Sequence, residues 1–206
     1  MLLPRNRTKL EEFLPHVMAM VQGDSRPALP SNVALSYIHN SAIKFAQRSS
    51  VIRRKEKIKF QPGNLIYPLV DDPEEEKIHR LVRVYRGDEC CNDEFVATFD
   101  DNTICLAAWD VPSDPCEDQF FTAEFVAIPT RNACSVDEIL FDEWHDAIID
   151  GALEQIHLMP QRPWTSGTAS RERQRNFGLA VADARRKYFT DRAGTTPTRV
   201  RYPGGC

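Results

Sequence analysis

Val51-Ile52-Arg53-Arg54-Lys55-Glu56-Lys57-Ile58-Lys59-Phe60 is the stretch in which the hydrophobic period of this chain changes. Before it, Val33, Ile38, Ala42, Phe45 and Ala46 recur at the spacing of one helical face, and Leu35 widens the stripe. Ser31 stands where an N-cap belongs, so the spacing predicts a helix from Ser31 to about Arg48. Within the stretch, Arg53, Lys55, Lys57 and Lys59 alternate with Ile52, Arg54, Glu56, Ile58 and Phe60, and its later part reads as a half-buried strand. A helical region therefore ends near residue 50 and a β-region begins.

Toward the N-terminus, Thr8 is placed to cap a helix over Lys9–Leu14, with Glu11 and Glu12 in its first turn as the helix dipole prefers. Pro15 is expected to split or kink it, Val17, Met18 and Val21 continue its apolar face, and Gly23 stops it. Toward the C-terminus, Gln61-Pro62-Gly63-Asn64 is a turn and Leu65–Leu69 a second extended run. The acidic run at 71–76 is expected to be a solvated turn. Ile78–Tyr85 is a strand with Ile78, Arg80, Val82 and Val84 on one side. Residues 95–99 and 103–109 form a hairpin about Asp100-Asp101-Asn102, and Phe120–Ile128 is the last strand. After Pro129 the period is helical again. Ser135-Val136-Asp137-Glu138 fits a capping box, with Asp142 a second possible start, and Trp144, Ile148, Leu153, Ile156 and Met159 line the apolar face. Ser166 caps a last helix from Thr168 to about Arg192, buried along Phe177, Val181, Ala184 and Tyr188. Its outer side carries Arg171, Arg173, Arg175, Arg185 and Arg186.

The expected fold is α+β: a helical bundle from the N- and C-terminal segments (1–50 and 135–194), an inserted antiparallel β-domain of five or six strands (51–130), and an extended C-terminal tail (195–206) ordered by a partner. A length of 206 residues allows one domain or two small ones. Hydrophobic residues at 42% and charged residues at 27% exclude collagen, coiled-coil rods and wholly disordered chains. No apolar run approaches the ~18 residues of a membrane span, and the first residues lack the apolar core of a secretory signal.

The net charge of −4 conceals a strong asymmetry. Residues 1–70 hold 11 Lys/Arg and 4 Asp/Glu; residues 71–150 hold 5 and 22; residues 162–206 hold 10 and 3. Basic ends and an acidic middle suit pairing within a subunit or between neighbours, and disfavour a general nucleic-acid binder. The six cysteines follow no zinc or C-x-x-C spacing and are expected to be reduced.

Asp146, Asp150, Glu154 and His157 share one helical face, and Glu154/His157 is an E-x-x-H pair of the di-iron type. That chemistry needs a second such pair. The other helices offer only His16, His39 and Glu11-Glu12, so a solvated polar face is expected, and His39 and His79 are taken as structural. There is no nucleophile elbow, P-loop, H-E-x-x-H or dinucleotide fingerprint. No catalytic, cofactor or metal residue is assigned. The basic run at 53–59 has too few interleaved aromatics to stack bases and is better matched by acidic protein surface.

The layout resembles the head–tail adaptor (connector) proteins of tailed bacteriophages, of the tubular tail protein A type. The residues that carry the likeness run from Leu140-Phe141-Asp142-Glu143-Trp144-His145-Asp146 through Ala147-Ile148-Ile149-Asp150-Gly151-Ala152-Leu153, then the joint Met159-Pro160-Gln161-Arg162-Pro163-Trp164, then Phe177, Ala180, Ala184 and Arg185. Gly151-Ala152 is read as a point of close helix approach. The resemblance implies a non-enzymatic subunit of a homo-oligomeric ring of twelve copies in the virion neck, made in the host cytoplasm. Such a ring joins the portal protein to a tail or nozzle protein and passes genomic DNA without sequence-specific binding or membrane contact. On that expectation Arg199, Arg201 and Tyr202 contact the portal, and Arg53, Arg54, Lys55, Arg171 and Arg175 serve the inter-subunit interface. Two other readings remain: a metal-dependent enzyme using Asp150, Glu154, His157 and a second-helix histidine, and a small DNA-binding packaging factor using 53–59 and the arginine-rich last helix.

Overall fold

The computed structural model describes residues 6–21, 29–61, 63–87, 96–107 and 119–193. In chain order its elements are β1 (Arg7–Lys9), a 3₁₀ turn (Leu10–Phe13), α1 (Leu14–Val21), α2 (Ser31–Ser49), β2 (Arg53–Lys59), β3 (Ile66–Pro68), β4 (Glu76–Arg86), β5 (Ala97–Phe99), β6 (Thr103–Leu106), β7 (Phe120–Pro129), β8 (Ser135–Asp137), α3 (Glu138–Asp142), α4 (His145–His157) and α5 (Gly167–Ala193).

The change of period near residue 50 is a change of structure. Ser50 closes α2 in the left-handed region at φ 58°, its N–H on the Ala46 carbonyl, and β2 starts three residues later. At the other end Pro30, not Ser31, is the N-cap. Its extended backbone aims its carbonyl at the Val33 and Ala34 N–H groups at 3.0 and 3.1 Å. Pro15 falls in the first turn of α1, where a missing N–H breaks no helical bond, and the helical run divides just before it into the 3₁₀ turn and α1, the split expected there.

The expected helical bundle with an inserted β-unit is overturned. Residues 7–9 and 135–137 are strands paired antiparallel to one another, with Thr8 buried opposite Val136 and not capping a helix. The remaining strands form two further antiparallel sheets, ordered β2-β7-β4 and β3-β6-β5. α2 packs on α4 and α5 but also on β7. Phe45, Ile148 and Phe177 from the helices therefore lie in the same buried cluster as Phe121, Phe125 and Ala127 from β7. Helices can form a separate bundle only when they bury their stripes on each other. Here α2 must also cover the core-side face of a central strand that is buried from Phe121 to Pro129. Among the described residues the result is one core in a mixed helix-and-strand fold with three antiparallel sheets. The tail at 195–206 lies outside the described residues.

The hairpin β5–β6 about Asp100–Asn102 forms as expected. β4 does not alternate simply. Bulges at His79 and Val82 bring Arg80, Arg83 and Tyr85 opposite Val126, Glu124 and Thr122, on one side of the sheet.

The capping box at 135–138 does not form, because Ser135 is spent in β8. Asp137 caps α3 instead, its Oδ1 accepting from the Ile139 N–H at 3.1 Å. The helix breaks at Glu143–Trp144 before α4 begins. Ser166 does cap α5, its Oγ accepting from the Ala169 N–H at 3.2 Å. Gly151 is a point of close helix approach, as expected: a Cβ there would lie 2.2 Å from Ser41 Oγ on α2 and 2.8 Å from the Phe177 ring on α5.

Candidate functional site

Basic side chains converge on the outer face of the β2-β7-β4 sheet. In β2, Arg53, Lys55, Lys57 and Lys59 stand opposite Val126, Glu124, Thr122 and Phe120 of β7. Across β7, Arg80 and Arg83 reach the same side. Among the described residues this face therefore carries six basic residues in register about Glu124. Buried Val126 and Tyr85 belong to this side and stand apart from the main core cluster.

Glu124 is 6% exposed. It accepts from Arg83 Nε and Nη2 at 2.8 and 2.9 Å, from Arg53 Nη2 at 3.3 Å, and from the Tyr85 hydroxyl at 3.3 Å. Burial on its own would raise its pKa. The Arg83 hydrogen bonds and the charges of Arg83, Arg53 and Lys55 outweigh that and hold it below the ordinary carboxylate range. Lys55 lies over the Tyr85 ring at 5.7 Å and Lys57 over Phe120 at 5.2 Å, so the aromatics act as a floor beneath the cations.

A second ion cluster lies on the core side of the same sheet. Arg54 bridges Glu76 at 3.3 Å and Asp137. Arg7 reaches Glu75 at 3.2 Å and Ser135 Oγ at 2.8 Å. Glu75 also accepts from the Ser135 and Cys134 N–H groups at 2.9 and 3.1 Å and from the Ser135 hydroxyl at 2.9 Å. Burial pushes the Glu75 pKa up, but these donors and Arg7 together bring it below the usual value. The acidic run at 71–76 is thus not simply a solvated turn: Glu75 is half-buried and Glu76 is buried at the start of β4. Their partners come from β1, β2 and β8, so the cluster ties together strands far apart in sequence.

The carboxylate/His face of α4 is a seam from Asp150 to His157, while Asp146 at its start stands in solvent as expected of a polar face. Asp150 takes Arg173 of α5 at 2.6 Å. His157 Nδ1–H donates to the Trp164 carbonyl at 2.8 Å, and the Ser170 hydroxyl donates to the Glu154 carbonyl at 3.1 Å. His39, the second-helix histidine, donates from Nε2 to the Thr130 carbonyl at 2.7 Å. His145 stacks on Phe13 at 5.3 Å with the His16 ring edge-on at 4.5 Å. Among the described residues no group of three or more His, Cys, Asp or Glu is placed to hold a metal ion, and no helix is long and apolar enough to cross a membrane.

Of the residues expected at an inter-subunit interface, Arg53 and Arg54 reach carboxylates of their own chain, while Lys55, Arg171 and Arg175 are exposed. Arg199, Arg201 and Tyr202 lie outside the described residues. Sequence reasoning missed Arg80, Arg83 and Glu124 as members of the basic face. A bulge has no signature in the alternation it interrupts, and an acid inside an apolar strand is the only hint that cations gather around it. A cleft of about 650 Å³ also opens between the 3₁₀ turn, α2 and residues 133–135, lined by Leu10, Leu35, Ser36, His39 and Cys134 among others.

No known family model matches the chain, and no curated protein matches it in sequence.

Proposed function

We propose that this protein is a non-enzymatic subunit of a tailed-phage head–tail adaptor ring, joining the portal above to a tail or nozzle protein below and letting DNA pass. Neighbours dock head-to-tail, a heterologous contact that closes when the rotation per subunit divides a full turn. Opposite charges set the register of docking more than its affinity. Arg199, Arg201 and Tyr202 are assigned to the portal contact.

The observation that carries this reading is the joint at α4. The segment 140–164, on which the resemblance rests, serves packing in this fold: Gly151 admits Ser41 and Phe177, Asp150 holds Arg173, and His157 holds the turn at Trp164. Of the polar residues that suggest an enzyme, Asp150 holds Arg173 of α5 and His157 holds the turn that leads into α5.

The test is removal of residues 195–206. Full-length protein mixed with its portal is expected to give ring-capped portals in negative-stain images, and the truncated protein bare ones. Normal capping by the truncated protein overturns the docking assignment.

A further inference from the structure

We infer that two copies of this chain pair through the solvent side of α5, antiparallel about a twofold axis at Leu179. The contact is separate from the head-to-tail one and does not rest on the ring-subunit reading, because an isologous pair closes at two copies and builds no ring.

α5 packs on α4 and α2, and its buried side carries Phe177, Val181 and Ala184. Helical spacing turns Leu179 to the opposite side, where it is 56% exposed. Glu172 and Arg186 stand seven residues before and after Leu179, and Arg175 and Asp183 stand four before and after. All five are exposed and share one stripe. Along it the side chains read acid, base, leucine, acid, base. Antiparallel superposition about Leu179 sets Arg175 against Asp183 of the second copy and Glu172 against Arg186 of the second copy, each pairing occurring twice by symmetry. Parallel pairing in register sets every charge against its like. The stripe is therefore complementary to itself in one direction only, and its charges fix direction and register more than affinity. Asp183 and Arg186 also meet within α5 at 2.9 Å, with both side chains largely in solvent. A pair so placed holds its members weakly.

Gly178 stands beside Leu179 in the interior of α5, where glycine weakens a helix. Gly151 is accounted for by the side chains that crowd it. Gly178 is not: among the described residues nothing lies within 4 Å of where its Cβ would be. With exposed Ala182 one turn on, it leaves a notch beside Leu179 in which a second helix can come close.

Nucleic acid is the other partner that arginines on a helix suggest. Glu172 and Asp183 lie among the arginines of this stripe and repel phosphate, which disfavours it.

The experiment oxidises full-length L179C under mild conditions and maps disulfides by mass spectrometry of a non-reducing digest. A peptide pair joined at position 179 of both copies is expected, because a residue on the axis meets its own counterpart. Adding R175D sets two acids face to face at both symmetric positions and is expected to cut the yield of that link about tenfold. Adding D183R as well restores the pairing with its signs exchanged and is expected to recover the yield. That recovery also shows that the variants fold. E172R followed by R186E tests the outer pair in the same way. In sedimentation the wild type is expected to pair as concentration rises, and L179E to stay monomeric with an unchanged circular dichroism melt. Absence of the 179–179 link, a link indifferent to R175D and E172R, failure of both exchanged pairs to restore it, or a monomeric wild type whose α5 arginines are shielded by duplex DNA overturns the inference. Portal capping is scored separately and bears on the adaptor reading alone.

Discussion

Replacing Gly151 by alanine places a methyl group 2.2 Å from Ser41 Oγ and 2.8 Å from two carbons of the Phe177 ring. Taken alone, Gly→Ala inside a helix stabilises by about 0.5–1 kcal/mol through lost backbone entropy of the unfolded chain. Here the methyl meets Ser41, which is fully buried and whose hydroxyl is committed to the Ile148 carbonyl at 2.7 Å. Ser41 is short and rooted on α2, so it has no far end to swing away. α2 and α4 must part by about 1 Å, or the hydroxyl must leave its acceptor. Overpacking of this kind costs about 1–3 kcal/mol, which exceeds the helix gain. Gly151→Ala is expected to be net destabilising by about 1–2 kcal/mol, at about 2–4 °C of melting temperature per kcal/mol for a chain of this size. Urea unfolding followed by circular dichroism measures it. Ser41→Ala deletes the atom in conflict, so the double variant is expected to be more stable than the sum of the two single changes by about 1 kcal/mol. A Gly151→Ala protein as stable as the parent, or strict additivity in the double variant, refutes the close-approach account.

Glu124→Gln keeps the shape of the side chain but leaves Arg83 and Arg53 facing a neutral amide, and a loss of about 1.5–3 kcal/mol is expected by analogy with other charge-assisted hydrogen bonds. Glu124 and Glu75 both have folded pKa values below their unfolded ones. Their stabilisation is therefore complete above the unfolded carboxylate range near about 4.3 and is lost as pH falls through the folded values. Urea midpoints between pH 7 and pH 3 are expected to fall for the parent and to fall less steeply for Glu124→Gln; equal slopes contradict the linkage. Arg7→Ala removes the guanidinium that ties β1 to Glu75 and Ser135, so the Thr8 and Val136 amides are expected to exchange at least tenfold faster while those of β7 do not change; unchanged exchange in β1 refutes the clamp.

Elements whose determinants are local were legible in the chain. α2 and β2 follow from the period on either side of Ser50, the β5–β6 hairpin from its turn residues, and the α5 cap from Ser166. Gly151-Ala152 announced a close approach because small residues admit neighbours. Position-specific signals misled where a distant segment competed for the same groups. Thr8 and Ser135 are good caps by type, yet their backbones pair with each other's strands across more than 120 residues of sequence. Asp150, Glu154 and His157 share a face by helical geometry, but only the arrival of α5 decides that this face is a seam. The exposed part of the basic sheet face was half visible, as the alternating Arg53 to Lys59; Arg80 and Arg83 joined it only through bulges in β4.

The order of amino acids dictated where helix yields to strand, where turns fall and how charge is spread, because each depends on neighbours within a few residues. Which strands pair, which acids meet Arg54 and Glu124's arginines, and whether the helices bury themselves on each other or on a sheet were settled by folding alone. Those outcomes depend on which of several compatible surfaces come into contact, and the energy of such a contact resides in pairs that no local window contains.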